Sequence, residues 1–390
     1  MDRLLVKYLR ETGEAVGTLG RVPHESIFDT PALVIDEAKM QHNIDEMAEA
    51  ARARGVALRP HVKTHKIPAI ARRQVAAGAV GITVAKVSEA EIMAEGGIGD
   101  IFIAYPLVTE TKIRRAIRLS GRSRLIAGVD SLEGARLMSA VAGSEGTVLE
   151  VRLEVDSGLR RTGVPREEAV ALAEEISTLQ NLDLTGIYTY RGAVLEDGSP
   201  ARDLAEAGRL EGEFMVAVAE ELRSSGVPMQ DVSLGSTPTA EHAATVEGVT
   251  EIRPGTYVFY DRMQAQMGVC SIEECALRVM ATVVSRPTPG LAVIDGGSKT
   301  FATDVQPNVA PLDLAGFGLV VGHPEAVLDR VTEEHGMLSL DEGSGLDVGD
   351  TVEIIPNHVC STVNLHEEVY LRSRDEDVET LRVAARGMVR

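Results

Sequence analysis

Residues 55–66 read GVALRPHVKTHK, a short apolar run followed within a few residues by a lysine, Lys63. The apolar part, Val56-Ala57-Leu58, predicts a buried strand that ends shortly before this lysine. A lysine at the end of a buried strand lies at the mouth of a site, where burial lowers its pKa and its amine can attack a carbonyl group. For this segment alone, a surface lysine in a basic patch is the alternative, because Lys66 and two histidines lie close by.

The alternation of strand and helix extends to both sides of this segment. A first strand is predicted at residues 30–35, and the helix that follows it, residues 36–54, has Asp36 as its N-cap. Further predicted strands, each with a helix or loop after it, lie at 56–58, 81–84, 101–104, 124–129, 147–155, 184–188 and 232–235. This pattern predicts an α/β fold, a TIM-like (β/α)8 barrel over residues 28–264. A doubly wound sheet is the alternative, but no Gly-x-Gly-x-x-Gly motif follows the first strand.

Beyond residue 265 the pattern changes to short strands with few long helices between them. The predicted strands lie at 275–284, 291–294, 351–355, 368–371 and 381–385, and Pro, Gly and Asp separate them. This pattern predicts a smaller, mostly β C-terminal domain over residues 265–390. Residues 1–27 fit neither pattern, and we predict that this N-terminal segment packs on the β domain.

The composition argues against several functional classes. With 39 Lys+Arg against 59 Asp+Glu the net charge is −20, so general binding to nucleic acid or to anionic membranes is not expected. The sequence has neither a run of 18 apolar residues nor the apolar core of a signal peptide, so no membrane span is expected. Its 3 cysteines are too few for a disulfide framework, and they favour a reducing cytoplasm.

Other candidate site residues follow the predicted barrel strands, where the chemistry of such barrels is found. Arg161 follows the strand at 147–155, and Tyr190 follows the strand at 184–188. The turn Gly235-Ser236-Thr237 follows the last predicted strand, and its backbone N–H groups could hold a phosphate. An ordinary loop is the alternative for this turn when it is taken alone.

A candidate metal pair, His358 and Cys360, lies in the predicted β domain. In an extended segment, residues two apart present their side chains on one face. Imidazole and thiolate together suit Zn²⁺, but a closed structural zinc site needs four ligands. A buried free cysteine beside a histidine is therefore the alternative. If a metal binds here, its site is open and is completed by water and substrate, as catalytic metal sites are.

Five motifs in this order resemble those of the D-threonine aldolase / D-serine dehydratase family, and the resemblance covers residues 30–360. The motifs are RPHVKTHK (59–66), KVSEAE (86–91), GSTPT (235–239), RPGTY (253–257) and DGGSK (295–299). The family belongs to the fold-type III pyridoxal 5'-phosphate (PLP) enzymes, whose barrel is similar to the N-terminal domain of alanine racemase.

This resemblance implies roles for the residues at the matching positions. Lys63 is implied to hold PLP covalently and to act in catalysis with Tyr190, and Arg161 is implied to face the pyridine nitrogen. The complete set of implied cofactor contacts is Lys63, Arg161, Tyr190, Gly235, Ser236, Thr237 and Tyr257, and the implied metal ligands are His358 and Cys360. Enzymes of this kind commonly form homodimers in which two subunits share the sites.

The sequence departs from the aldolases of the family at two positions. Those enzymes carry His-x-Asp at the metal position, which suits Mn²⁺, whereas His358-x-Cys360 matches the zinc-dependent D-serine dehydratases. In addition, Arg191 follows Tyr190 where the aldolases have histidine. The departures favour zinc, with manganese as the alternative, and they leave the role of Arg191 open.

The resemblance implies a PLP- and divalent-metal-dependent lyase that acts on D-β-hydroxy-α-amino acids. We favour a D-serine/D-threonine dehydratase, which releases ammonia and a keto acid. D-threonine aldolase-type cleavage to glycine and an aldehyde is the alternative. An amino-acid racemase has no use for a metal pair, and a PLP-homeostasis protein needs no second domain, so both are less favoured.

Overall fold

Strands and helices alternate along the first two thirds of the chain, as the apolar runs predict. The structure, a computed structural model, describes residues 29–341, 344–375 and 377–390, so the predicted packing of residues 1–27 lies outside the described residues. In chain order this part contains β1 (Ala32–Asp36), α1 (Glu37–Ala53), β2 (Ala57–Leu58), α2 (Pro68–Ala76), β3 (Ile82–Val84), α3 (Val87–Glu95), β4 (Asp100–Pro106), α4 (Glu110–Leu119), β5 (Arg124–Val129), α5 (Leu132–Ser144), β6 (Leu149–Glu154), α6 (Arg166–Ser177), β7 (Leu182–Tyr188), α7 (Leu204–Ser224), β8 (Asp231–Leu234), α8 (Ala240–Ala243), β9 (Glu251–Ile252) and α9 (Arg262–Gln266).

The remaining third consists mainly of strands, which confirms the predicted β domain. It contains β10 (Leu277–Thr288), β11 (Leu291–Ile294), β12 (Gly318–Val320), β13 (Ala326–Val331), β14 (Gly336–Leu340), β15 (Thr351–Pro356), α10 (Val359–Val363), β16 (Glu368–Arg372) and β17 (Val378–Arg382). These strands join one sheet in the order β11-β14-β13-β12-β15-β10-β1-β16-β17. All its pairs are antiparallel except that of β1 with β16.

The parallel strands β2 to β9 form the predicted (β/α)8 barrel. Their order is β2-β9-β8-β7-β6-β5-β4-β3. The two outer strands of this order meet, because the N–H of Val80 donates to the carbonyl oxygen of Leu58 at 2.9 Å and that of Thr83 donates to Pro60 at 2.8 Å. The sheet is thereby closed, and the carboxyl ends of all eight strands surround one opening.

One predicted barrel strand belongs to the other sheet. Residues 30–35 were predicted to start the barrel, but β1 pairs with β10 and β16 instead. The eighth barrel strand is β9, only 2 residues long, which leaves no apolar run to detect. Because β1 is buried like a barrel strand, its sequence pattern does not reveal which sheet it joins. Lys63 therefore follows the first barrel strand, and the Gly235 turn follows the seventh.

Three of the barrel helices, α1, α5 and α7, begin at the side-chain caps Asp36, Ser131 and Asp203. The Asp36 carboxylate accepts the N–H of Lys39 at 3.1 Å and caps α1, as predicted. Helix α1 contacts both domains, because Ile44 packs against the β domain and Met47 packs against Leu58 and its neighbours in the barrel. Within the described ranges, none of the helices has the length and apolar character needed to cross a bilayer.

The interior of the barrel contains a network of charges centred on Glu251 in β9. Its carboxylate accepts hydrogen bonds from Arg59 Nε at 2.7 Å, from Arg152 Nη1 at 2.6 Å and from Ser233 Oγ at 2.6 Å. Burial opposes ionisation, but the charges of Arg152 and Arg59 outweigh it and lower the pKa of Glu251 to about 2. The ionised carboxylate therefore connects β9 to β6, to β8 and to the residue after β2.

Arg253 extends this network towards the loops that follow the strands. Its guanidinium donates to Ser233 Oγ, which in turn donates to Glu251. It also donates to the carbonyl oxygen of Thr189. The network therefore reaches the residue directly before Tyr190.

We expect Glu251→Gln to lower the free energy of unfolding at pH 7 by roughly 3–5 kcal/mol, because it leaves two buried arginines without their shared carboxylate. The folded-state pKa of Glu251 is about 2 against an ordinary value of 4.5. Its contribution to the free energy of unfolding is therefore complete above about pH 4.5 and is lost as the pH falls towards 2. The difference in free energy of unfolding between wild type and variant should therefore become smaller over that range. Urea-induced unfolding followed by circular dichroism measures both effects.

The matched control is Glu175→Gln, which removes an exposed carboxylate 3.5 Å from Arg136. We expect it to change the free energy of unfolding by less than about 0.5 kcal/mol. A Glu251→Gln variant as stable as this control at pH 7 would show that the network does not stabilise the barrel.

Candidate active site

Lys63 lies in the short segment that follows the first barrel strand. Residues Val62–Thr64 form one 3-10 turn, and His61 Nδ1 caps it by accepting the N–H of Lys63 at 3.4 Å. Burial, helped by the charge of Arg161, lowers the pKa of Lys63, while nearby Cys360 opposes that shift. The amine is thereby shifted towards its neutral, nucleophilic form, which a lysine in an exposed basic patch would not show.

Two cavities of about 280 Å³ each meet at Lys63. They share the lining residues His61, Lys63, Tyr190 and Arg253. The first cavity lies among barrel residues and is lined in addition by Lys86, Tyr105, Glu154 and Arg161. The second cavity lies between the barrel and the β domain and also includes Ser236, Thr237, Thr256, His358 and Cys360. The structure therefore brings most of the predicted site residues together around one lysine.

The Gly235–Thr237 turn is built to present backbone donors to the second cavity. Gly235 has φ +84, and a Cβ there would lie 3.0 Å from Ala240 Cα. Thr237 Oγ1 accepts the N–H groups of Gly255 and Tyr257, each at 3.2 Å, and so joins the turn to the next loop. Among the described residues, the N–H groups of Thr237 and Thr256 have no acceptor. Free N–H donors beside a cavity fit an anionic group such as a phosphate.

Tyr190 lies between two cations at the junction of the cavities. Its ring centroid is 5.3 Å from Lys63 Nζ and 5.1 Å from Arg161 Cζ. Burial raises the pKa of the Tyr190 hydroxyl, so the phenol is protonated at neutral pH. Arg161 lines the first cavity. Its predicted contact with a pyridine nitrogen stays a prediction.

Tyr257 and Arg191 do not line the cavities, and neither does Gly235, although the turn that Gly235 begins does. The Tyr257 hydroxyl accepts a hydrogen bond from Gln74 at 2.9 Å in the packed region behind the site, and its cofactor contact stays a prediction. Arg191 is buried, with its guanidinium over the Phe214 ring, and its backbone N–H donates to Glu211 at 3.1 Å. Its proximity in sequence to Tyr190 therefore does not place it in the site.

His358 and Cys360 line the second cavity at the start of α10. The sequence predicts an extended segment here, but His358 is the N-cap and Cys360 is the second residue of the helix. The backbone of His358 is still extended, and its ring forms a hydrogen bond with Cys360 at the start of the helix. Cys360 Sγ is also 3.3 Å from the hydroxyl of Thr64, the residue after Lys63.

Asp304 holds the His358 ring in place. Its carboxylate is 2.7 Å from His358 Nδ1 and also accepts the hydroxyl of Ser361 at 2.8 Å. Burial lowers the pKa of His358, but hydrogen bonds with Asp304 and Cys360 outweigh this effect and raise it to about 11. Burial likewise raises the pKa of Cys360, but the hydrogen bond and charge of His358 reverse the effect and lower it. Nothing in the sequence indicated Asp304, because 54 residues separate it from His358.

The donor set of this pair fits a divalent metal. A carboxylate on Nδ1 orients the ring, as in many metal-binding histidines, so that Nε2 can coordinate a metal that displaces its proton, and the thiolate character of Cys360 adds a soft ligand. No cluster of three or more His, Cys, Asp or Glu side chains that could hold a metal ion occurs in the described ranges. A metal held by His358 and Cys360 would therefore keep open positions for water and substrate.

Asp261 links this pair to the neighbouring helix. The sequence leaves it open whether Asp261 is a site carboxylate or a helix cap. The structure shows a cap, because one oxygen accepts the N–H of Gln264 and the other that of Val359, each at 3.0 Å. Val359 lies between His358 and Cys360, so this buried carboxylate fixes α9 against the metal pair.

Comparison with known proteins gives the same two-domain organisation. The family model of the alanine racemase N-terminal domain matches residues 35–263, and that of the putative serine dehydratase domain matches residues 276–372. A D-threo-3-hydroxyaspartate dehydratase from Delftia sp. (strain HT23) is 37% identical over 352 residues, 86% of this chain and 91% of the relative. A D-threonine aldolase from Arthrobacter sp. is 32% identical over 368 residues, 93% of this chain and 94% of the relative.

A solved structure has the same fold. The crystal structure of D-threonine aldolase from Filomicrobium marinum superposes with a TM-score of 0.83 at 30% identity, over 93% of this chain and 97% of that one. The barrel, its lysine and these matches define a PLP-dependent lyase with an alanine racemase-like barrel. Within that class, the chain belongs to the D-threonine aldolase and D-serine dehydratase family.

We expect Lys63→Ala to abolish the visible absorption band of covalently bound PLP, because no amine remains at that position to form the bond. Absorption spectra before and after dialysis against PLP measure the change. Lys299→Ala is the matched control, because its side chain is 64% exposed and lies in the β domain. A Lys63→Ala protein that keeps the band, or a wild type that gains none with added PLP, would contradict the assignment of Lys63.

Asp304→Asn should weaken metal binding by about 10- to 100-fold, because the neutral amide no longer fixes the ring of His358 or increases its basicity. Competition for Zn²⁺ between the metal-free protein and a chromophoric chelator gives the affinity. Asp329→Asn removes a carboxylate of the same domain whose partner is Ser339, and it should leave the affinity unchanged. Equal affinities for wild type and Asp304→Asn would remove Asp304 from the metal site.

Proposed function

We propose that the chain is a PLP- and divalent-metal-dependent dehydratase of D-β-hydroxy-α-amino acids, with D-serine and D-threonine as substrates. The observation that carries this proposal is that Lys63 and the His358–Cys360 pair line one cavity. The 3.3 Å contact between Thr64 and Cys360 brings the lysine segment directly against the pair. Groups bound at these two positions are thus placed to act on adjacent atoms of one substrate.

When bound, PLP supplies an electron sink for the substrate Cα, and the metal supplies a Lewis acid for the β-hydroxyl. Lys63 would hold the cofactor through its amine, and that amine, when free and with its lowered pKa, would take the proton from Cα. The N–H groups of Thr237 and Thr256 would hold the phosphate. Loss of the Cα proton and of the β-hydroxyl releases water, and the resulting enamine hydrolyses to a keto acid and ammonia.

Tyr190 acts in catalysis beside Lys63 and positions the reacting groups. Its phenol is protonated at neutral pH because burial raises its pKa, so its hydroxyl is available as a hydrogen-bond donor. Its ring contacts Lys63 and Arg161 from one place in the site. The ring therefore lies about 5 Å from both basic side chains, within the distance range of cation–π attraction.

The residues of the second cavity favour elimination over retro-aldol cleavage. Retro-aldol cleavage requires a base for the proton of the β-hydroxyl, whereas elimination requires a base only at Cα. Among the described residues, no Asp or Glu lines this cavity, and its one imidazole besides His358 is that of His61. Burial lowers the pKa of His61 well below its ordinary value, so it is a weak base. The thiolate ligand also matches the zinc-dependent dehydratases that the motif resembles.

The aldolase reaction is the second candidate, because a relative that is 32% identical is named a D-threonine aldolase. Three further properties complete the proposal. The imidazole–thiolate pair favours zinc over manganese. The family resemblance supports a homodimer, and the small number of cysteines supports a cytoplasmic location.

Product analysis separates the two reactions. We expect D-serine to give pyruvate and D-threonine to give 2-oxobutanoate, each with an equal amount of ammonia. Glycine and acetaldehyde from D-threonine, without 2-oxobutanoate, would identify the aldolase reaction instead.

Removal of the metal with EDTA should lower kcat by at least about 100-fold, because Lewis-acid assistance at a leaving hydroxyl is worth several kcal/mol. Atomic absorption confirms the removal, and added Zn²⁺ should restore turnover. Unchanged turnover of both substrates after confirmed removal would exclude a catalytic metal.

A further inference from the structure

One wall of the second cavity is apolar and does not take part in the chemistry described above. It is formed by Met263 and Met267, with Gln264 between them, and by Ala193. The two methionines are four residues apart at helix α9, so their side chains lie on the same face of one turn. This wall and the metal pair line the same cavity. If the metal pair binds the β-hydroxyl, the other group on the substrate Cβ lies against this wall.

Helix α9 is fixed relative to the metal pair through several bonds. The Asp261 carboxylate joins its first turn to the N–H of Val359, and the N–H of Met263 donates to the carbonyl oxygen of Asn357 at 3.2 Å. Arg262 Nη1 donates to the carbonyl oxygen of Ala315 at 2.6 Å. The distance between the methionine wall and His358 is therefore set by the fold, as a specificity pocket requires.

The lysine and the arginine of the cavity are both engaged, so neither is free to pair with a second carboxylate of the substrate. The proposed reaction assigns Lys63 to the cofactor and to Cα. The Arg253 guanidinium is already bonded to Ser233 Oγ and to the Thr189 carbonyl oxygen. A carboxylate placed against the methionine wall would therefore lose its hydration without gaining an ion pair from Lys63 or Arg253, which is unfavourable.

A neutral polar group completes the pocket. Gln264 is only 3% exposed, and its amide oxygen has no hydrogen-bond partner within the described ranges. Buried polar atoms are normally satisfied, so the Gln264 side chain has an acceptor to spare for a donor at this wall. The hydroxyl or ammonium of an amino-acid substrate is such a donor, and a carboxylate is not.

We propose that Met263, Gln264 and Met267 form the subsite for the substituent on the substrate Cβ, and that this subsite selects a neutral, apolar group over a carboxylate. This inference rests on the proposed function, because it takes the substrate β-carbon to lie beside His358 and Cys360. It separates the chain from its relative named for D-threo-3-hydroxyaspartate, since that substrate carries a carboxylate at Cβ.

Unreactive analogues test the subsite without turnover. D-2-Aminobutyrate carries a β-methyl group, D-aspartate carries a β-carboxylate, and D-alanine carries neither, and none has a β-hydroxyl to eliminate. Titration of the holoenzyme with each, followed by the absorption change of the cofactor, gives three Kd values. We expect D-2-aminobutyrate to bind at least about 10-fold more tightly than D-aspartate. It should also bind more tightly than D-alanine, because its additional methyl group is buried in the apolar pocket.

Three variants at Met267 connect this preference to the helix. Met267→Ala should remove most of the advantage of D-2-aminobutyrate over D-alanine, whereas Met267→Leu keeps the volume and should keep the advantage. Met267→Arg adds a cation and should increase the affinity for D-aspartate relative to D-2-aminobutyrate. In wild type, kcat/KM should follow the same order, with D-threonine above D-threo-3-hydroxyaspartate.

The outcomes of these titrations distinguish a failure of the proposed function from a failure of the proposed subsite. If none of the analogues changes the cofactor spectrum, the proposed function fails, and the subsite fails with it. If the analogues bind but D-aspartate binds as tightly as D-2-aminobutyrate, or Met267→Ala leaves the ratios unchanged, the subsite is wrong while the lyase proposal stands.

Discussion

The arrangement of the site depends on one buried carboxylate, that of Glu251, between Arg59 and Arg152 inside the barrel. A packed apolar interior would stabilise a barrel as well as a buried ion pair does, because ions lose their hydration on burial. The charged groups add hydrogen bonds of defined geometry, which an apolar interior would lack. Arg59 lies four residues before Lys63, and Arg253 holds both Ser233 and the carbonyl group before Tyr190. The segments that carry the lysine and the tyrosine thus start from the same ionic centre.

The β domain fixes the same lysine segment from the other side. The carbonyl oxygen of Lys66 accepts the N–H of Ala385, and Lys66 Nζ donates to Asn364 Oδ1 at 2.9 Å. The Thr64 hydroxyl contacts Cys360. Lys63 is therefore flanked on its C-terminal side by residues bound to the second domain. The site exists only where the two domains meet, and neither domain alone contains a complete set of its residues.

Local sequence patterns predicted much of this arrangement, and their failures share one cause. The apolar runs predicted most barrel strands, and the lysine after residues 56–58 was found because it follows such a run. The patterns could not show that β1 joins the other sheet, because a strand buried on both faces looks the same in either sheet. They missed β9, whose 2 residues form no run. Both errors concern pairing partners, which local sequence does not encode.

The same limit explains the errors in the site. His358 and Cys360 were recognised by residue type, but their helical geometry depends on Asp261, 98 residues from Val359. Asp304 reaches His358 only through the folding of the β domain. The hydroxyl of Tyr257 is held by Gln74, 183 residues earlier in the chain. In each case a distant hydrogen-bond partner decides where the side chain points.

The position of β1 has a consequence for how the chain is made. This strand lies inside the nine-stranded sheet, between β10 and β16, so the second domain is assembled from segments on both sides of the barrel sequence. During synthesis, β1 leaves the ribosome before every barrel strand, but its partner strand β10 begins only at Leu277. The apolar strand β1 therefore has no native partner strand until the whole barrel has been translated. Unpaired apolar strands are prone to aggregate. For the same reason, no single cut in the chain separates the molecule into two pieces that each contain a whole domain.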